Sequence, residues 1–255
     1  MRLGAVTYNV LKDWDLDTIL QNLEAAGYDA VELRTGHKHG AEPSIGAEER
    51  KRIVERFQHS KVRLLSYGST CEFQSPDETE RRRQLDLAIQ FVNLAHDTGA
   101  WGVKVRPNGM PKGVPAETTI QNIATCLREL GDYGTGRGVE IWMEVHGPDT
   151  QNPPVSAAIM KATRHENVGL CWNSNPTDVV AGSVKPSFDL LQPWIRNVHI
   201  NELSSSYPWR ELFTLLRQSG YDRYTLCEAL ESKEPERFLR SYRALWTELV
   251  RPCTA

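Results

Sequence analysis

Long apolar runs are missing from this 255-residue chain. No stretch approaches the ~18 consecutive apolar residues of a membrane span, and the opening MRLGAVTYNV is too short an apolar run for a signal peptide. A membrane role is therefore not expected, and a reduced cytoplasmic setting is. Cysteine is scarce as well: Cys71, Cys126, Cys171, Cys227 and Cys253 are odd in number and form no C-x-x-C pair. A disulfide framework is not expected in a chain of this size. An excess of positive charge is absent too, with 30 Lys and Arg against 33 Asp and Glu and a formal net charge of −3. The basic runs Arg50-Lys51-Arg52 and Arg81-Arg82-Arg83 sit in Glu-rich helical patterns and read as solvated helix faces. No nucleic-acid partner is expected on this balance.

What is present is an ordinary globular composition, 40% hydrophobic and 25% charged. β-rich runs start at Leu3, Asp29, Val62, Trp101, Val139, Val168, Arg196 and Tyr224. Between them lie segments with apolar residues at three- and four-residue spacing, predicted as helices over 16–26, 47–60, 76–98, 117–133, 155–163, 209–219 and 235–250. Leu85, Ile89, Val92 and Ala95 form one such stripe, closed by Gly99 as a left-handed cap. Between the sixth and seventh strands, Pro186 and Pro193 leave room only for a short helix. Eight strand–helix units predict an α/β fold, a (β/α)8 TIM barrel, as one domain over residues 1–255. An open doubly wound sheet is the alternative, but TYNVLKDWD after the first strand has no G-x-G-x-x-G phosphate turn.

In a barrel, chemistry gathers where the strands end. The segment IWMEVHG brings Glu144 and His146 to the end of a strand-forming run, and glutamate is rarely buried unless paired or bound to metal. Strands five to eight end on Glu144, Asn173, His199 and Glu228, each after an apolar or aromatic run. Two carboxylates brought together need a cation or a shared proton. Oxygen and imidazole donors without thiolate suit one divalent metal ion, with Mn2+ the first expectation and Mg2+, Co2+, Fe2+ or Zn2+ the others.

The strand ends MEVHG, CWNSN, NVHIN and LCEAL, in that order, resemble the xylose isomerase-like barrel superfamily, especially its sugar phosphate isomerase/epimerase branch. The resemblance runs over essentially the whole chain. It implies that the metal ligands are Glu144, Asn173, His199 and Glu228 and that the two glutamates double as acid and base. The chain departs from the family pattern twice. Asn173 stands where the family usually has aspartate, and Pro176 stands where a histidine commonly follows three residues later. The apurinic-site endonuclease branch needs more His and Asp ligands than these strand ends supply.

Such a site would remove the proton between a sugar carbonyl and its neighbouring hydroxyl through a metal-stabilised cis-enediolate. Isomerisation, epimerisation and elimination share that step. The leading expectation is a metal-dependent sugar isomerase or epimerase; the alternatives are a lyase or hydratase acting on a 3-keto-glycoside, and a catalytically silent carbohydrate-binding barrel. Lys104, Arg106, His146, His39 and Glu32 are candidate substrate-binding residues, and Tyr8, Asn9, Tyr67, Trp172 and Trp209 are candidate walls for a sugar ring, with core packing the expectation for most of these five and for Trp172 above all. The expected partner is a small-molecule sugar or derivative, with a homo-oligomer left open.

Overall fold

The computed structural model describes residues 1–252. Eight parallel strands close into a barrel in sequence order: β1 (Arg2–Val6), β2 (Ala30–Arg34), β3 (Arg63–Gly68), β4 (Gly102–Val105), β5 (Glu140–Glu144), β6 (Val168–Trp172), β7 (Ile195–Ile200) and β8 (Tyr224–Cys227). Closure is made by β1 on β8, with Leu3 opposite Thr225 and Ala5 opposite Cys227. The α/β barrel predicted from alternation is the fold observed.

The outer helices are α1 (Leu16–Ala25), α2 (Ala47–Gln58), α3 (Glu78–Thr98), α4 (Ala116–Thr135), α5 (Pro153–Thr163), α6 (Lys185–Leu191), α7 (Trp209–Gln218) and α8 (Pro235–Val250). Local chemistry sets their ends. Asp15 accepts from the Thr18 amide to start α1, and Asp77 accepts from the Thr79 amide to start α3. Gly99 ends α3 with φ of 76°, as expected of a left-handed cap. The short α6 is flanked by 3-10 turns at Pro176–Asp178 and Gln192–Trp194, because proline is accommodated in a first helical turn and not within a helix. Among the described residues, no helix is long and apolar enough to cross a membrane. Cys71, Cys126, Cys171 and Cys227 are buried free thiols, and Cys253 lies outside the described residues.

Two apolar cores result. One fills the space between strands and helices, where Leu23, Leu94, Leu127 and Phe213 are sealed from solvent. The other lies among Val6, Ala30, Leu65, Trp142, Cys171, Tyr224 and Leu226. Side chains alternate along a strand, so Trp142 below places Glu144 above it, and Leu226 below places Glu228 above it. A full-sized aromatic core side chain such as Trp142 contributes about 3–5 kcal/mol. Gly102 on β4 makes room for it, since a Cβ there would stand 2.7 Å from the indole. The Trp142 Nε1 donates to Glu140, which also binds Arg223 at 2.7 Å.

Candidate metal and substrate site

The same alternation turns Lys104, Glu144 and His199 inward at the carboxyl ends of their strands. Glu228 and Asn173 lie one residue beyond β8 and β6, because the β7–β8 ladder stops at Cys227 and β6 ends at Trp172. Nδ1 of His199 is 3.4 Å from a carboxylate oxygen of Glu144 and 3.4 Å from one of Glu228. One donor atom from each of the three residues falls within 4.8 Å of the others.

Behind this triad is a second buried layer. Nε2 of His199 faces Oε1 of Glu32 at 3.4 Å, while the other Glu32 oxygen accepts from Ser66 Oγ at 2.7 Å. Gly68 leaves the space for this carboxylate, since a Cβ there would lie 2.7 Å from Glu32 Oε1. Lys104 completes the cluster by donating to Oε2 of Glu144 at 2.7 Å. Glu32 and His199 are fully buried, and Glu144 and Lys104 nearly so.

Charges this deep survive only by mutual compensation. Burial disfavours the Glu144 anion, but Lys104 and His199 outweigh it and hold its carboxyl below the usual carboxylate range. Burial opposes the Lys104 ammonium, yet Glu144, Glu32 and Glu228 keep it protonated. Glu32 is likewise lowered, with His199 and Lys104 overcoming burial. His199 is raised well above its ordinary range despite burial, with Cys171, Glu228 and Glu32 as neighbours. Burial pushes the Cys171 thiol up to about 11, so near neutrality it is uncharged and the carboxylates are what raise His199.

The residues fit a divalent ion. Donors about 2.0–2.2 Å from one ion lie about 2.8–3.1 Å apart at octahedral angles and about 3.3–3.6 Å apart at tetrahedral ones, and the 3.4 Å from His199 Nδ1 to each glutamate falls in the second range. Both ring nitrogens of His199 and Oδ1 of Asn173 are buried without a hydrogen-bond partner, although such atoms are normally satisfied. Asn173 lines the same cavity, its Nδ2 directed to Oδ1 of Asn175 at 3.5 Å. An ion bound to Nδ1 would displace the proton that the carboxylates otherwise hold on His199.

Above the donors opens a cavity of about 750 Å3. Lys104, Arg106, Glu144, His146, Asn173 and Glu228 line it together. Arg106 is engaged by Glu72 at 3.0 Å, and burial lowers the basicity of His146. Two residues expected at the substrate lie off the cavity wall. Glu32 sits beneath His199, and His39 spends both ring nitrogens on the backbone, at Arg34 O (2.9 Å) and Ala41 N (3.1 Å). The wall also includes residues that sequence reasoning passed over: Ser174, Asn201, Glu202, Ser205 and Tyr207. Tyr207 donates to Asp178 at 2.9 Å and accepts from Trp172 Nε1 at 3.1 Å. The aromatic density of SSSYPW after β7 is the one sequence signal that marks this wall.

The family described as the xylose isomerase-like TIM barrel matches residues 20–246, and the chain belongs to it. No curated protein matches the chain. Among solved structures, D-psicose 3-epimerase from Clostridium cellulolyticum, in structures with D-tagatose, superposes with a TM-score of 0.83 at 12% identity, covering 99% of this chain and 100% of that one. The IOLI protein with a binding zinc atom gives 0.80 at 17% identity, covering 98% and 96%. The 3-keto-D-glucoside 4-epimerase of E. coli gives 0.80 at 12% identity, covering 98% of both chains. At these identities the likeness establishes the shared barrel.

Proposed function

We propose that this protein is a divalent-metal-dependent sugar isomerase or epimerase. The observation that carries the reading is the convergence of Glu144, His199 and Glu228 beneath an open cavity at the carboxyl end of a xylose isomerase-like barrel. The sugar epimerases among the structural neighbours and the zinc atom of one of them support it.

Glu144, His199, Glu228 and Asn173 are the residues that would hold the ion. A divalent ion bound there supplies a Lewis acid for the carbonyl and adjacent hydroxyl of a substrate. The protein supplies the proton transfers. Glu228 meets no hydrogen-bond donor among the described residues, so its carboxylate is free to take the proton between those two oxygens. Glu144 is the second carboxylate: it would return a proton to the substrate from its protonated form, which the ion pair with Lys104 makes a strong acid. Glu32 fixes the His199 ring by facing Nε2, which leaves Nδ1 for the ion. Lys104 and His146 bind substrate oxygens, and the open cavity above lets the carboxylate-held proton exchange with solvent.

The decisive experiment is metal analysis of the purified protein combined with deuterium uptake from solvent into a panel of ketoses and keto-glycosides. Glu228→Gln is expected to preserve the fold and lower exchange by about 10²–10⁴-fold. Unchanged exchange in both Glu144→Gln and Glu228→Gln would refute the assignment, and metal-independent sugar binding without exchange would select a silent binding barrel.

One observation favours a second reading. Asn173 gives the donor set a neutral amide with a free Oδ1, so only Glu144 and Glu228 are anionic. A less neutralised ion is the stronger Lewis acid, which suits a lyase acting on a 3-keto-glycoside. Release of an aglycone alongside exchange distinguishes it from the epimerase.

A further inference from the structure

The cavity is not uniformly polar, and its apolar part has a definite place. The large hydrophobic residues most exposed to solvent include Tyr8 at 41% and Leu230 at 69%, and both line this cavity. Single exposed apolar side chains need no explanation, but two sharing the wall of one pocket do. The backbone brings them together: the amide of Asn9 donates to Ala229 O at 3.0 Å, tying the loop after β1 to the loop after β8. Leu230 follows Glu228 by two residues, so this apolar lip rises from the strand end that carries the proposed base.

The Tyr8 ring is also held in place. The Arg34 guanidinium lies 5.2 Å from its centroid, and the His37 ring stacks on it at 6.2 Å and 12°. Thr7 fixes both supports, through His37 Nδ1 at 2.8 Å and the Arg34 amide at 3.0 Å. Burial, reinforced by Arg34, pushes His37 down to about 4, so the stacked imidazole is neutral near pH 7. The lining also includes Asn173, Ser174, Asn201, Glu202 and Ser205, which offer hydrogen bonds, with Glu202 accepting from the Leu230 amide at 3.2 Å beside the lip. A flat aromatic and an exposed leucine at the mouth, above the buried donor floor, give the cavity an outer part and an inner part.

We propose that Tyr8 and Leu230 form a second subsite for a substituent with a flat apolar face, so that the substrate is a glycoside larger than a monosaccharide. The reacting sugar would rest on the floor, and a second pyranose or an aromatic aglycone would stack on Tyr8. This rests on the functional reading above. Both candidate substituents share the stacking chemistry, and the choice between them is experimental.

The test measures binding of methyl, phenyl and glucosyl 3-keto-glucosides to the metal-loaded protein by calorimetry. Stacking predicts about 3- to 10-fold tighter binding of one or both larger ligands than of the methyl glycoside. Preference for the phenyl ligand assigns an aromatic aglycone, and preference for the glucosyl ligand a disaccharide. Tyr8→Ala and Leu230→Ala are expected to erase the preference, and Tyr8→Phe to retain it. Equal binding of all three ligands, or a preference surviving in Tyr8→Ala, overturns the subsite alone; binding of none overturns the subsite, and the functional reading falls with it only if the ketoses also show no deuterium uptake. Conversion of a dimer to a monomer by both alanine variants, with the preference intact, would assign the lip to contact between copies and overturn the subsite.

Discussion

Asn173 and Glu32 are the residues through which this site departs most from a simple ring of ligands. With Glu144 and Glu228 ionised, two negative charges already balance a divalent ion, and an aspartate at position 173 would add a third. Asn173→Asp is therefore expected to tighten metal binding and Asn173→Leu to weaken it, in a competitive titration at fixed pH. Equal affinities would place the amide outside the coordination sphere. Glu32 touches neither cavity nor substrate, yet it faces the far nitrogen of His199. Groups that orient a ligating histidine typically cost 10–100-fold in metal affinity when lost. Glu32→Gln keeps the shape and the bond to Ser66 while removing the charge, so a drop of about that size is expected. A loss of stability with unchanged affinity would show that the carboxylate only fills space.

At the scale of elements, the barrel was legible because its signal repeats: eight β-rich runs, each followed by helical spacing, admit few arrangements. The strand-end residues Glu144, Asn173 and Glu228 were legible for the same reason, since alternation from Trp142, Cys171 and Leu226 two positions earlier fixes their direction; His199 follows the buried Asn197 and was legible from its place at the end of an apolar strand. Glu32 follows the same inward logic, but a register shift between Val31 and Glu32 against β3 sets its depth, and no single-strand pattern encodes that. His39 and Tyr207 lie in loops, whose conformation depends on partners distant in sequence. The β6–α6 connection is a case in point. Asp178 accepts from the Asn175 amide at 2.7 Å and from Tyr207, and is almost fully buried. Burial pushes its carboxyl up to about 7, against the opposing pull of those two bonds. The folded protein thus holds this proton where the unfolded chain has lost it. Asp178 should lower stability progressively as pH rises from about 4 to 7. Denaturant titrations should show a decline over that window that is shallower in Asp178→Asn; identical slopes would contradict the role.

For the molecule as a whole, the buried carboxylates make metal a stability factor. Glu144, Glu228 and Glu32 surround one histidine, and an ion bound to the folded state alone adds about 2.7 kcal/mol at one hundred times its Kd. For a chain of this length that corresponds to roughly 5–10 °C in Tm. Chelation should lower Tm by that amount and readdition should restore it; a Tm indifferent to chelator and metal would show that the cluster is balanced by its own protons and by Lys104.

The pairing of β1 with β8 also has a kinetic meaning. Glu144 and His199 are contributed by the fifth and seventh strands, Glu228 by the end of the eighth, and Glu32 by the second. These groups cannot all converge until the last strand has docked on the first and the ring is shut. An ion that recognises only the shut ring stabilises a species formed after the main barrier, so refolding should be no faster in its presence. Unfolding, which must first open the ring, should slow. In a chevron plot the metal is therefore expected to displace the unfolding arm and leave the folding arm where it was, making ion retention a clock for how long each molecule keeps its barrel closed.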